Sequence, residues 1–295
     1  MANLKDIKRK ISSVKNTQKT TRAMKLVSSA KLRRTEELAK RSRVYANKLT
    51  EVLSEIAQKL QQNNVDGLDN IYFKDSSNPK VVDIVFITAD KGLCGGFNAM
   101  TIKRVNKLLA EYKAQDVKVR LRAIGRKGID YYNFNNVDMM NEVVGLSSAP
   151  NYQDAAELIN EIAESYINGE TDKIVMVHNG YVNMITQEIR QSQVLPVDPS
   201  TLELNQVSTS ELEVEPDEDD TLLEALVKRY VEYTMYYSLI DSLAAEHSAR
   251  MQAMDAATNN AKDMVSKLTV QYNKARQEAI TTELIEIISG MESMK

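Results

Sequence analysis

The 295-residue sequence has no tryptophan, one cysteine, two histidines, five prolines and ten glycines. The single cysteine, Cys94, excludes an internal disulfide framework and favours a reducing compartment. The two histidines, His178 and His247, are too isolated in sequence to form a conventional His/Cys zinc site. Because glycine and proline are scarce, turns should be few, and the composition predicts a mostly helical chain.

Long apolar runs are absent as well. The longest run covers residues 81–88, contains Asp83, and is far shorter than the roughly 20 residues that span a bilayer. The N-terminus has no apolar core of the kind a signal peptide needs, and it already has the pattern of a helix. We therefore expect any membrane association to go through partner proteins.

Acidic residues are rare near the N-terminus. Residues 5–48 contain fifteen Lys and Arg but only Asp6, Glu36 and Glu37 as acids, although the net charge of the whole chain is -3. Residues 211–220, in contrast, contain seven carboxylates. This asymmetry predicts oppositely charged partners or, for the acidic stretch, a solvated linker.

Apolar residues recur at helical spacing in the N-terminal quarter, and no Gly or Pro occurs in residues 1–66. We predict a coiled-coil helix over 1–66 with a seam at Leu4, Ile7, Ile11, Val14, Leu38, Tyr45, Leu49, Val52 and Ile56. In between, the seam is polar at Gln18 and Thr21. A polar middle indicates either a weakened coiled coil or a face that contacts another surface.

A sustained heptad pattern marks the C-terminal quarter, and no Gly or Pro interrupts residues 221–289. We predict a second coiled-coil helix over 221–295; at about 1.5 Å per residue, its uninterrupted part would be roughly 100 Å long. Its seam contains Leu223, Leu226, Tyr230, Tyr233, Tyr237, Ile240, Ala244, His247, Met251, Met254, Thr258, Ala261, Val265, Leu268, Tyr272 and Ala275.

The middle of the chain has a different pattern, in which strands alternate with helices. Strands are predicted at 81–88, 117–124 and 173–178, with a further candidate at 185–194, and helices at 99–113, just after Gly125 and at 152–167. A connecting stretch is predicted between the short helix after Gly125 and Pro150. This order predicts a small, largely parallel, Rossmann-like α/β domain over 67–210, followed by an acidic linker over 211–220.

The predicted fold class is therefore α/β with dominant long helices. Because the two helices flank the inserted domain, they can pair only as an antiparallel coiled coil, with paired residue numbers adding up to roughly 283. In that register the last turns project alone, and they carry Ile285, Ile287, Ile288 and Met291.

Two local features permit a chemical interpretation. The glycine loop at 92–96 lies between a strand and a helix, where dinucleotides bind in parallel sheets, but it matches neither G-x-G-x-x-G nor a P-loop. A structural turn is favoured over a nucleotide site. Cys94 would be activated at a helix N-terminus but lacks a nearby base in sequence, and His247 occupies a seam position, so packing roles are favoured for both.

The basic helix permits three interpretations: a nucleic-acid-binding surface, a solvated face, or a surface for an acidic protein partner. No aromatic residue interrupts it before Tyr45, and the whole chain is acidic. The protein partner is favoured, and a basic coiled-coil nucleic-acid-binding protein remains the alternative.

Four segments resemble the ATP synthase gamma subunit family. They are ISSVKNTQKTTRAMK at 11–25, ADKGLCGG at 89–96, AEHSARMQAM at 245–254 and YNKARQEAITTE at 272–283. The second is similar to the family's D-[RK]-G-L-C-G-G. They follow the family's order over nearly the full chain. The sequence has no regulatory cysteine insertion of the chloroplast type and no pattern of an organelle transit peptide before Met1, so we expect the bacterial form.

The resemblance implies a central rotor shaft that couples ion flow to ATP synthesis or hydrolysis and has no catalytic, metal or cofactor site of its own. The implied partners are three alpha and three beta subunits, the epsilon subunit and a membrane c ring. The implied location is the cytoplasmic face of the bacterial cell membrane, to which the protein would be bound peripherally through its partners. The resemblance implies no nucleic-acid partner.

The resemblance also implies residue roles. The expected coupling contacts with the catalytic ring are Met24, Arg250, Gln277 and Thr281, joined by the basic residues Lys15, Lys19 and Arg22. The expected contacts of the α/β domain, the foot, are Leu212, Val214 and Glu215. Packing at the seam is the alternative for Met24 and Thr281, and a solvated charge is the alternative for Arg250.

Overall fold

The computed structural model describes residues 4–62, 71–73, 78–197 and 221–293. The elements in these ranges are α1 (Leu4–Gln62), β1 (Val81–Ile87), α2 (Phe97–Ala114), β2 (Lys118–Ile124), α3 (Arg126–Phe134), β3 (Asn141–Val143), α4 (Tyr152–Ile167), β4 (Lys173–Tyr181), β5 (Gln187–Leu195) and α5 (Thr221–Glu292). The expected strands and helices of the α/β domain are confirmed, including the candidate strand β5. The prediction of a connecting stretch before Pro150 missed β3.

The five strands form one sheet in the order β3-β2-β1-β4-β5. β1 pairs in parallel with β2 and β4, and β2 pairs in parallel with β3, so the largely parallel sheet is confirmed. β5 lies antiparallel to β4 at the edge. The connection of residues 182–186 is long enough for a hairpin but too short for a parallel crossover.

Both faces of the sheet are covered, which explains why the central strands have continuous apolar runs rather than alternating ones. Every residue of β1 after Val81 is buried. α2 and α3 cover one face, with a core that includes Val82, Ile84, Phe86, Val105, Leu108, Ile129 and Tyr132. α4 and α5 cover the other, with Val85, Ile87, Ile159, Ile162, Val227, Val231, Met235 and Leu239.

Asp83 is fully buried in the middle of β1, and its charge is paired. The Nε atom of Arg122 donates to it at 2.7 Å, and Arg120 donates through both Nε and a terminal nitrogen. Arg122 also donates to Asn141 and Ser165. A buried carboxylate between two guanidinium groups is compatible with an apolar strand, and removing one partner of such a pair typically costs about 3–5 kcal/mol.

The chain divides into two compact units. The first contains Met1–Ser29 and Arg250–Lys295, and the second contains Ala30–Ala249, which includes the sheet. In the first unit, the hydroxyl groups of Thr21 and Thr258 are 2.8 Å apart, and Lys25 Nζ lies 2.6 Å from an Asp255 carboxylate oxygen. The residue number rises from 21 to 25 on α1 while that of the partner falls from 258 to 255 on α5, so the antiparallel pairing is confirmed.

The observed register differs from the predicted one. In the second unit, the rings of Tyr45 and Tyr233 have centroids 4.4 Å apart, and paired numbers in both units add up to about 280, not about 283. The difference corresponds to about one helical turn. The predicted register was therefore wrong by that amount.

The seam of α1 was predicted correctly only in its first part. The residues of α1 that follow a strict three-four spacing and are buried or half-buried are Leu4, Ile7, Ile11, Val14, Gln18, Thr21, Lys25, Ser28, Leu32, Thr35, Ala39, Ser42, Ala46, Leu49 and Leu53. Leu38 is 42% exposed, so assigning it to the seam was wrong. Tyr45 is 44% exposed and lies at the edge of the seam, where its ring contacts that of Tyr233 on α5. Val52 is half-buried beside the seam, and the side chain of Ile56 lies outside the described residues.

The predicted seam of α5 is confirmed from Met254 onward. Met254, Thr258, Ala261, Val265, Leu268, Tyr272 and Ala275 are buried or half-buried, and so are Ala279 and Thr282 at the next two positions. Between 231 and 250 the helix is covered on more sides, because the face opposite the seam packs into the core of the α/β domain.

Two glycines hold the ends of β1 and β2 close together. Gly125 has a φ of 98°, and a Cβ atom there would overlap the carbonyl oxygen of Thr88. Gly128 lies so close to Phe86 that a Cβ atom would be 2.6 Å from the ring. Gly125 needs glycine for its backbone conformation and for the close contact, whereas Gly128 needs it for the close contact alone.

We predict that Gly125→Ala destabilises the full chain by more than about 2 kcal/mol, because both strain and overlap act at this position. Gly92→Ala is the matched control, since a Cβ atom at Gly92 meets nothing within 4 Å. Urea unfolding followed by circular dichroism measures both. Equal midpoints for the two variants would contradict this account of Gly125.

Candidate functional site

The carboxyl edge of the sheet between β1 and β4 is where parallel sheets of this order usually bind a ligand. Here the loop after β1 packs against α5. Ala89, Cys94 and Phe97 form a buried apolar cluster with Ala245 and Ala249. The small side chains of α5 allow this close approach, so the helix itself covers the glycine loop.

The Asp90 carboxylate lies at the N-terminus of α3, where a bound anion would lie at this edge of the sheet. It accepts hydrogen bonds from the N–H groups of Arg126, at 3.0 Å, and Gly145, at 3.2 Å. Burial alone would raise the pKa of Asp90, but its hydrogen bonds help to hold it below its ordinary value. The N-terminus of α3, which could hold a phosphate, therefore binds a carboxylate of the chain itself.

Cys94 is buried inside the same loop. Its Sγ atom accepts a hydrogen bond from Asn98 at 3.3 Å, and the side-chain carbonyl oxygen of Asn98 accepts one from the Ala89 N–H. The cysteine thus joins the loop to the first turn of α2. This location supports the packing role that its sequence context favours.

A buried carboxylate of α5, Asp241, joins that helix to β4 and β5. It accepts hydrogen bonds from Arg190 at 2.7 Å and from the Tyr181 N–H at 3.2 Å, and it lies 3.2 Å from His178 Nε2. Burial lowers the pKa of Arg190, but the charge of Asp241, the hydrogen bond to Glu188 and smaller contributions from Tyr237 and the Glu188 charge together outweigh it, so the net shift is upward. His178, which is isolated in sequence, is therefore part of a buried polar cluster.

A second carboxylate, Glu232, joins α5 to α4. It accepts hydrogen bonds from the Tyr152 hydroxyl and from Asn160 Nδ2. Burial and the bond to Glu232 raise the pKa of Tyr152 to about 12. Farther along the helix, Ser248 donates to the carbonyl oxygen of Met184. Sequence analysis singled out none of these α5 residues; the only signal was a charge at 232 and 241 within an otherwise apolar stretch.

The predicted coupling residues near the N-terminus lie in the first unit. Lys15, Lys19 and Arg22 are exposed, and Met24 is half-buried, one turn away from the contact of Thr21 with Thr258. The three cations are thus available to a partner, whereas part of the Met24 side chain packs within the helix pair.

The predicted coupling residues of α5 differ in exposure. Arg250 is only 9% exposed, so the solvated-charge alternative for it was wrong. Gln277 and Thr281 are both exposed and adjacent, since the Thr281 hydroxyl donates to the Gln277 carbonyl oxygen at 2.9 Å. Thr282 occupies the seam position, so the packing alternative for Thr281 was wrong too. The predicted foot contacts Leu212, Val214 and Glu215 lie outside the described residues.

The end of α5 is apolar and exposed. Every described residue from 283 to 293 is exposed, including Leu284, Ile285, Ile287, Ile288 and Met291 at 54–61%. A run of exposed apolar side chains typically marks a protein interface. Within the ranges that the structure describes, no helix has a stretch long and apolar enough to span a membrane.

Comparison with known proteins gives a consistent result. The family profile described as ATP synthase matches residues 3–294. The ATP synthase gamma chain of a Sulfurovum species is 75% identical, and that of a Nitratiruptor species is 61% identical, each over the full length of both chains.

Solved structures show the same fold. A chain of the Euglena gracilis mitochondrial ATP synthase matches with a TM-score of 0.69 at 17% identity, covering 99% of this chain and 94% of that one. A chain from the central stalk and c ring of the Tetrahymena thermophila enzyme matches with a TM-score of 0.62 at 23% identity, covering 81% and 99%. These matches do not support the nucleic-acid-binding alternative. Together with the full-length similarity to its relatives, they show that the chain belongs to the ATP synthase gamma chain family.

Proposed function

We propose that this chain is the central rotor shaft of an F-type ATP synthase, which couples ion flow through the membrane sector to ATP synthesis and hydrolysis. One observation carries the proposal: α5 is a single helix that is joined to the α/β domain by buried carboxylates and ends in an exposed apolar segment. A continuous helix of this kind can transmit rotation from a docked domain to a distant contact.

The proposed partners are three alpha and three beta subunits, the epsilon subunit and the membrane c ring. The matching structures come from a central stalk with a c ring and from a rotor, which supports the c ring as a partner. The other subunits are proposed from the family resemblance. The chain would have no catalytic site of its own. Its proposed place is peripheral, on the cytoplasmic face of the bacterial membrane.

We also propose which segments of the chain form the shaft, the foot domain and the linker between them. Residues 1–66 and 221–295 would form the shaft, 67–210 the foot domain, and 211–220 an acidic linker. Leu212, Val214 and Glu215 would contact partners at the foot, as the family resemblance implies. Buried polar contacts between α5 and the strands support a foot that rotates together with that helix.

Coupling would depend on contacts that differ among three chemically equivalent catalytic subunits. Lys15, Lys19, Arg22 and Met24 would present one such surface, and the exposed residues Gln277 and Thr281 another. Arg250, roughly 40 Å away along α5, would make a separate contact. The exposure of the three cations supports this assignment, because exposed charges give specificity and orientation at an interface. As the shaft turns, the surfaces would meet each catalytic subunit in succession and favour a different conformation in each.

The assembly itself is tested by purification of the chain from the membranes of its source. We expect it to be recovered together with two larger subunits that carry P-loops. Recovery of the intact chain without them would contradict the proposed function.

A second test concerns the basic surface. We predict that the triple variant Lys15→Gln, Lys19→Gln, Arg22→Gln lowers the number of ions pumped per ATP hydrolysed in the reconstituted complex, while the melting temperature of the chain changes little. Exposed charges typically contribute less than about 1 kcal/mol each to stability, so their loss should affect partner contacts more than folding.

The matched control removes three exposed cations elsewhere on the same helix, Lys40, Arg41 and Lys48, by the same substitution. Lys40 and Lys48 pair with Glu36 and Glu51 of the same helix, so their loss should not change coupling. If both triple variants lower coupling equally, or if only the melting temperature falls, the assignment of this surface is wrong.

A further inference from the structure

Half of the seam positions in the middle of α1 repeat one kind of residue. Thr21, Ser28, Thr35 and Ser42 are buried hydroxyl residues spaced seven apart. The Thr35 hydroxyl donates to the Lys31 carbonyl oxygen of its own helix, four residues back. Small hydroxyl side chains at every seventh position present nearly the same surface after a shift of one heptad. These positions therefore do little to distinguish the observed register from one shifted by a heptad, and the seam residues between them, Lys25 among them, must do more.

The ion pair between Lys25 and Asp255 makes that distinction. It joins α1 to α5 at 2.6 Å, one turn from the contact between Thr21 and Thr258. A shift of one heptad in one direction would place Lys25 opposite Lys262, and a shift in the other would place Asp255 opposite Gln18. The first exchanges attraction for repulsion, and the second leaves the carboxylate without its cation. A single polar residue at a seam position, here Lys25, is a known means of specifying register.

We propose that the Lys25–Asp255 pair is the register lock of the helix pair and positions Met24 for its contact with the catalytic subunits. Met24 precedes Lys25 in the same turn, so fixing the Lys25 side chain against α5 also fixes the direction in which Met24 projects. Lys25 and Asp255 act as positioning residues. The role of Met24 in this inference rests on the proposed function, whereas the lock itself does not.

The lock is tested without reference to function by disulfide formation in the assembled complex. In a Cys94→Ser background, Thr21→Cys is combined with Met251→Cys, Thr258→Cys or Val265→Cys, because positions 251 and 265 lie one heptad to either side of Thr258. Because the Thr21 and Thr258 oxygens are 2.8 Å apart, the 21–258 pair should oxidise most efficiently. Lys25→Asp alone, or Asp255→Lys alone, should lower the preference for this pair by roughly threefold or more, since like charges then face each other.

The charge-swapped double variant Lys25→Asp, Asp255→Lys should restore the preference, because the attraction returns with reversed polarity. Lys40→Asp is the matched control: Lys40 pairs within α1, with Glu36 at 3.0 Å, and its reversal should leave the preference unchanged. If the single variants keep the original preference, or if the double variant does not restore it, the lock is refuted.

The positioning role is tested in the same variants with the native cysteine and no introduced ones, reconstituted into vesicles. Ions pumped per ATP hydrolysed should fall in each single variant, recover in the double variant and stay unchanged in Lys40→Asp. A purely stabilising pair would lower the melting temperature without changing this ratio. If the charge reversals change the preference for the 21–258 disulfide but not the number of ions pumped per ATP hydrolysed, the register lock is supported and the positioning of Met24 is refuted. If, in addition, the basic-surface triple variant keeps full coupling, the proposed coupling surface fails as well.

Discussion

Two buried carboxylates on α5, Glu232 and Asp241, determine how the long helix is held. Each is removed from water and must be matched by donors in a restricted geometry, so the helix has little freedom to rotate or slide against the domain. The donors come from α4, β4 and β5. Apolar contacts of Val231 and Met235 on the same side add burial energy but much less directional specificity. The orientation of the helix follows from the polar contacts.

Other features of the molecule depend on close packing against α5. Within the first unit, small residues such as Thr21, Ser28 and Ala261 permit close approach of α1 and α5 at the cost of apolar burial. The glycine loop, in turn, serves as a surface for α5, and Asp90 occupies the helix N-terminus that a phosphate could otherwise bind. The edge of the sheet where related folds bind a ligand is thus occupied by contacts of the chain with itself.

Local patterns predicted most of the fold but not its long-range polar contacts. The seam of α5 beyond Met254 could be read from the sequence because polar residues surround it on the other faces. The second half of the α1 seam could not, since Ala39 and Ser42 carry little hydrophobic signal, while the exposed Leu38 and Tyr45 carry a strong one. Three-residue β3 is too short to show periodicity. The partners of Asp241 come from distant strands, so only the folded chain brings them together.

The central claim is that the two long helices turn as one body, and a reversible disulfide between Thr21→Cys and Thr258→Cys, in a Cys94→Ser chain, tests it most directly. The side-chain oxygens at these positions are 2.8 Å apart, within reach of such a bond. ATP hydrolysis by the assembled complex should be nearly the same in the oxidised and reduced states, whereas a disulfide from either helix to the catalytic ring should stop turnover until it is reduced. If the link between the helices stops turnover as completely as the link to the ring, the helices must move against each other during the cycle, and the account of a rigid shaft is wrong.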